Sequence, residues 1–156
     1  MINIAIVGCG AIGSTLARAI DEGKAGEVEL AYLFDVIMEK AVKLASSLKK
    51  RPKVAENMSE ILSDEKVNVV VEAATPTTVK EYGEKVLLAG KDLMVLSVGA
   101  FYDQDFYERI LRILRERDVR VYIPSGAISG IDAVKAAATE RIDKVELVTR
   151  KPPVAF

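Results

Sequence analysis

The opening of this chain narrows its fold more than any other stretch. Residues 1–7 form a short apolar run that leads directly into Gly8-Cys9-Gly10-Ala11-Ile12-Gly13, and a helical pattern starts where those glycines end. A strand, then G-x-G-x-x-G, then a helix is the order that a dinucleotide fingerprint requires. Each glycine has its own reason. Gly8 permits a tight turn off the strand, Gly10 lacks the β-carbon that would hold a pyrophosphate away, and Gly13 lets the helix lie close to the strand. The helix start, with Ala11 and Ile12 in its first turn, would then offer unpaired N–H groups and partial positive charge to phosphates.

Asp35 completes the pattern. It ends a second apolar run, residues 28–34, at roughly the 20-residue spacing where an acid meets the adenosine ribose. Its carboxylate has room for both ribose hydroxyls and would repel a 2′-phosphate. Val36 and Ile37 follow it, with no arginine to receive such a phosphate. NAD is therefore the expected cofactor, with NADP the alternative. Taken singly, each feature could be no more than a turn; their order and spacing together favour the cofactor.

At 156 residues the chain has about the length of one domain, and half of it is hydrophobic, enough for a substantial core. A net charge of −1 with interspersed signs gives no basic stripe, so nucleic acid is not an expected partner. No apolar stretch approaches the roughly 20 residues of a membrane span, and no charged lead precedes the first apolar run. A cytoplasmic protein without a membrane partner is expected. Cys9 is the single cysteine, which excludes an intrachain disulfide, and it reads as small filler in the glycine turn. The sequence has no histidine, which removes His-based metal sites, Ser-His triads and the commonest general base. No metal is expected. One glutamine and three asparagines beside many Lys and Glu suggest a heat-adapted protein.

Along the chain, Ile12, Leu16 and Ile20 mark the buried stripe of a first helix that Gly23 and Gly26 end. The remaining pattern predicts a strand at 28–34, a helix at 38–50, a short strand at 53–55, a helical turn at 59–62 and a strand at 67–72. Thr75 and Pro76 then suit the cap and first turn of a helix closing at Gly90. A strand at 93–97, a helix at 103–117 and a strand at 119–123 complete the series. Such alternation predicts right-handed βαβ units and a parallel sheet. The expected fold class is α/β, a doubly wound Rossmann NAD(P)-binding domain over residues 1–124. Its ligand would bind at the carboxyl ends of the strands, where the glycine turn, Asp35, Ala74, Thr75, Ser97, Gly99 and Ala100 gather.

Residues 125–156 follow a different pattern: a small-residue loop, a helix with Ile131, Val134 and Ala138 at spacings of three and four, and an alternating strand at 145–149. They are expected to begin a second, α+β domain. A strand with no neighbours exposes a pairing edge, which predicts either association between copies, a homo-oligomer, or disorder of this strand.

The motifs resemble those of the archaeal and bacterial L-aspartate dehydrogenase family. The resemblance spans the chain: the glycine fingerprint, Val71-Glu72-Ala73-Ala74-Thr75, Leu96-Ser97-Val98-Gly99-Ala100, Ser125-Gly126-Ala127-Ile128-Ser129-Gly130-Ile131-Asp132-Ala133, and Thr149-Arg150-Lys151-Pro152-Pro153. It implies NAD(P)-dependent oxidative deamination of L-aspartate to iminosuccinate, which hydrolyses to oxaloacetate and ammonia or feeds NAD synthesis. It also implies that Ala127 contacts NAD, and that the catalytic histidine lies in a second domain beyond this chain. No catalytic residue is then expected within the chain, which would be a truncated cofactor portion. A stand-alone NAD-binding regulatory module is the alternative, and a relative of homoserine dehydrogenase or dihydrodipicolinate reductase a further one.

Several candidates keep two readings. Ser97, Gly99 and Ala100 would border the nicotinamide ribose or merely make a tight turn, and Thr75 would touch cofactor or merely cap a helix. Arg150 and Lys151 would meet the carboxylates of aspartate or form a solvated charge pair. Asp132 and Lys135 are the nearby substitutes for a missing base, and a helix start explains both without one.

Overall fold

A computed structural model of the chain describes residues 1–125, 131–146, 148 and 150, the side chain of Asp132 excepted. The chain divides into two compact units, Met1–Pro124 and Ser125–Phe156. In the first, strands and helices alternate as β1 Ile2–Val7, α1 Ala11–Asp21, β2 Val28–Phe34, α2 Met38–Ser47, β3 Lys53–Val54, α3 Met58–Ser63 and β4 Val69–Glu72. The series continues with α4 Pro76–Leu88, β5 Asp92–Val95, a 3-10 helix Val98–Tyr102, α5 Gln104–Glu116 and β6 Val121–Tyr122.

All strand pairs are parallel, and their order is β3-β2-β1-β4-β5-β6. The order reverses between β1 and β4, so the connections run to opposite faces and leave a crevice at the carboxyl ends of those two strands. Period-two alternation fills two cores. Ala5, Val7 and Val70 face one with Val79, Val86, Phe106 and Ile110 from α4 and α5, while Ile6, Leu33 and Val71 face the other with Ala17, Ile20, Ala41 and Leu44 from α1 and α2.

Element ends differ from the sequence expectation where side chains capture backbone. The second helix stops at Ser47, not residue 50, because the Asp21 carboxylate accepts the N–H groups of Lys49 and Lys50, each at 2.9 Å. β5 stops at Val95: the Leu96 N–H makes the last ladder bond, to the Glu72 carbonyl at 3.1 Å, and the Ser97 N–H turns to the Glu72 carboxylate at 3.0 Å. β6 starts at Val121 because the Arg120 N–H goes to Asp92 Oδ1 at 2.9 Å rather than to a ladder.

In the second unit, α6 spans Ile131–Ala137. The expected strand at 145–149 does not form over its described part: Val145, Glu146 and Val148 belong to no strand, since no described backbone pairs with them to make a ladder. Leu147 and Thr149 lie outside the described residues.

Candidate cofactor site

The glycine turn joins β1 to α1 at the crevice, and its three glycines stand in three different environments. Gly8 has φ of +99°, and a β-carbon there would come within 2.7 Å of the Ala73 carbonyl oxygen and 2.8 Å of Ala74 Cβ, so the tip of β4 lies directly against the turn. A β-carbon on Gly13 would collide with the carbonyl oxygen of Gly8, which fixes the close approach of α1 to the strand. Gly10 is the reverse case. Nothing lies within 4 Å of the place its β-carbon would take, so the protein itself does not require glycine there.

That open space faces a bare helix end. Gly10 is the N-cap of α1 and supplies no side-chain acceptor, whereas Asn57, Thr75 and Asp103 each accept a backbone N–H at the starts of α3, α4 and α5. The first N–H groups of a helix have no partner within it. Gly10, Ala11 and Ile12 are exposed. An uncapped N-terminus, an absent β-carbon and free space fit a pyrophosphate without adjustment.

Asp35 is half-buried just past β2 and is already engaged. Its Oδ2 accepts the Cys9 N–H at 2.7 Å and its Oδ1 the Ile37 N–H at 2.9 Å. The acid thus braces the glycine turn as well as the start of α2. A carboxylate has about four acceptor sites, so two remain for the ribose hydroxyls expected from the sequence. Cys9 lies beneath, 6% exposed, with its thiol pushed up to about 11 by burial and then by the Asp35 charge. A thiol held neutral is a poor nucleophile, as its reading as filler requires.

Across the crevice, Thr75 caps α4: its Oγ1 accepts the Thr78 N–H at 3.2 Å, with Pro76 opening the helix. Ala74 and Gly99 are exposed and Ser97 is half-buried at the tips of β4 and β5. A β-carbon on Gly99 would meet Pro76 Cγ at 3.6 Å, an ordinary contact, so its bare backbone is again not demanded by the fold. Ala100 is fully buried and packs into the core beside α4 and α5, a placement that suits the tight-turn reading of this position. Ala127 and Lys151 lie outside the described residues; Arg150 and Lys135 are exposed.

Glu72 is the residue that sequence reasoning passed over as a site candidate. It ends β4 only 3% exposed, and its carboxylate accepts three donors: Ala74 N–H at 2.7 Å, Ser97 N–H at 3.0 Å and Ser97 Oγ–H at 2.9 Å. Its signal was present as a lone acid closing a β-branched run, Val69-Val70-Val71-Glu72. An unpaired buried acid is costly, so it required donors at the strand tips. Among the described residues no group of three or more Cys, Asp or Glu is placed to hold a metal, and no helix is long and apolar enough to cross a membrane.

The strand order, the uncapped glycine turn at the reversal point and the acid just past the neighbouring strand together define a dinucleotide-binding Rossmann domain. Residues 8–124 match the family described as homoserine dehydrogenase, NAD binding domain, and the chain belongs to that family. It is also similar to the L-aspartate dehydrogenase of Methanocella arvoryzae, 42% identical over 97% of this chain and 55% of the relative. That of Methanosarcina barkeri is 37% identical over the whole chain and 56% of the relative. Among solved structures, aspartate dehydrogenase from Thermotoga maritima is similar at 29% identity with a TM-score of 0.66, covering 87% of this chain and 51% of that one. The chain thus spans about half the length of the curated relatives it matches.

Proposed function

We propose that this chain is the cofactor-binding portion of an NAD-dependent L-aspartate dehydrogenase. The observation that carries the reading is its similarity to curated L-aspartate dehydrogenases over 97–100% of the chain, at 37–42% identity for the two relatives above. When bound, NAD would accept the hydride from the α-carbon of aspartate, leaving iminosuccinate that hydrolyses to oxaloacetate and ammonia.

This chain's own residues bind and orient. Gly10 and the bare N–H groups of α1 receive the pyrophosphate, with Gly8 and Gly13 shaping the turn beneath them. Asp35 accepts from the adenosine ribose, and its charge disfavours a 2′-phosphate, so NAD is preferred to NADP. Ala74, Thr75, Ser97 and Gly99 border the other half of the crevice, and Ala127 remains a further proposed contact. No residue of this chain is assigned a catalytic role; the base is proposed to lie in the part of the enzyme that the relatives possess beyond the matched region.

The chain alone should therefore bind NADH yet form none from NAD and L-aspartate, whereas a protein of the relatives' full length should form it, read by the absorbance of NADH. Full-length protein that oxidises homoserine and ignores aspartate would sink this reading in favour of the one the family description favours. A chain that binds NADH and gains no activity at full length would point instead to a regulatory NAD-binding module. We further propose a cytoplasmic homo-oligomer. An apolar groove of about 360 Å³, lined by Ile2, Ile4, Leu16, Val69, Met94 and Tyr122 among others, supports association; sedimentation as a monomer at high concentration would count against it.

A further inference from the structure

Glu72 is buried and carries no salt bridge among the described residues, yet it collects three donors from the two loops at the tips of β4 and β5. We propose that Glu72 is a positioning residue for the nicotinamide half of the cofactor: its carboxylate accepts the hydrogen bond that the Ser97 hydroxyl donates, Oγ to Oε1 2.9 Å, leaving the lone pairs of Ser97 Oγ as acceptors for a donor on that half. The inference rests on the NAD-binding reading above and adds a residue and a polarity to it.

The polarity follows from elementary inventory. A carboxylate only accepts hydrogen bonds, whereas a serine hydroxyl has one proton to give and two lone pairs. With its proton committed to Glu72, Ser97 Oγ has only lone pairs to offer elsewhere. The nicotinamide half carries matching donors, the carboxamide N–H groups and the ribose hydroxyls. Which half lies here follows from the topology. A dinucleotide straddles the crevice with its adenosine ribose toward the acid after β2, and β5 lies on the opposite side of β1 and β4 from β2. The other two bonds set the spacing of the platform. Ala74 N–H and Ser97 N–H, from different loops, are held by the two oxygens of one carboxylate at 2.7 and 3.0 Å.

The test compares NADH with ADP, which has the adenosine and pyrophosphate without the nicotinamide riboside, on the native chain and two variants. In Glu72→Gln the amide has one acceptor oxygen, and its NH2 turned toward Ser97 would drive the hydroxyl proton outward. NADH affinity should fall up to about tenfold, the scale of one neutral hydrogen bond, while ADP affinity stays within about twofold. Ser97→Ala should produce the same selective loss, and the double variant should lose no more than either single one, since both remove one coupled interaction. Equal losses for NADH and ADP, or no loss for either, would overturn the proposal. Should Glu72→Gln fail to fold, Ser97→Ala decides alone, because it leaves both backbone bonds to Glu72 in place. Failure of the native chain to bind NADH would remove the cofactor reading and this proposal with it, whereas native binding without a half-selective loss removes the proposal only.

Discussion

Two charged side chains are buried among the described residues, Glu72 and Lys91, each 3% exposed, and they mark opposite ends of the sheet. Lys91 immediately precedes the amino end of β5, and its ammonium donates to the carbonyl oxygens of Asp64 at 2.6 Å and Val67 at 3.0 Å, in the connection from α3 to β4. Burial holds its pKa below the usual lysine value, with the Asp64 and Glu65 carboxylates pulling the other way. Glu72, at the carboxyl end of β4, takes donors from Ala74, which is exposed, and Ser97, which is half-buried. Lys91 thus staples backbone to backbone; Glu72 shapes a surface that a ligand can reach. Burial of a charge does not by itself mark a site. What its partners border does.

Substitutions at the carboxyl end should therefore divide into those that cost folding and those that cost binding, while substitutions at the amino end should cost folding alone. The largest effect is expected for Gly13→Ala, whose β-carbon meets the Gly8 carbonyl. Backbone cannot yield as a side chain does, so denaturant unfolding should show a loss above about 3 kcal/mol, and NADH binding should go with it. Lys91→Met should rank next, leaving the buried Val67 carbonyl and the half-buried Asp64 carbonyl without their charged donor. A loss of about 1.5–3 kcal/mol is expected, with NADH affinity unchanged; a weakened affinity would erase the distinction between the two ends.

Gly10→Ala should show the opposite signature. Its added methyl meets nothing in the protein, so stability should fall by no more than about 1 kcal/mol, while NADH affinity drops at least about tenfold. Thr75→Ala removes the α4 cap and should cost about 1 kcal/mol, with little change in NADH affinity if the hydroxyl serves the helix and not the ligand. The effect of Cys9 is confined to alkaline pH and is the smallest near neutrality. Its thiol is held near 11 in the fold against an ordinary value of 9.0, so the unfolded chain releases the proton first. The contribution to stability is present below pH 9 and is lost as pH rises toward 11. Alkylation of the native protein should correspondingly be slow near pH 8 and quick once denaturant is added.

The carboxyl end was legible in the sequence to the extent that backbone conformation dictates residue type. Gly8, Gly13, Thr75 and Pro76 are local requirements of a turn, a close contact and a helix start, and they stand where the pattern placed them. The strand at 28–34, interrupted only by the exposed Glu29, and the strand expected at 67–72 and found at 69–72 were readable because burial on both faces leaves near-continuous apolar runs. The 3-10 helix Val98–Tyr102 and the early ends of α2 and β5 were not, since each is settled by a partner far along the chain: Asp21 for Lys49, and Glu72 for Ser97. Ala100 illustrates the same limit. Its position in a strand-tip turn fitted a ligand contact or a plain tight turn equally, and only packing against α4 and α5 shows that its side chain faces the core.

Fluorescence titration of the chain with NADH, on the native protein and on Gly10→Ala in parallel, tests the central claim most directly. A saturable signal with a dissociation constant below about 1 mM, weakened at least tenfold in an equally stable Gly10→Ala variant, is the expected result. No saturation at millimolar cofactor, or equal binding by the two proteins, would contradict a cofactor site at the glycine turn.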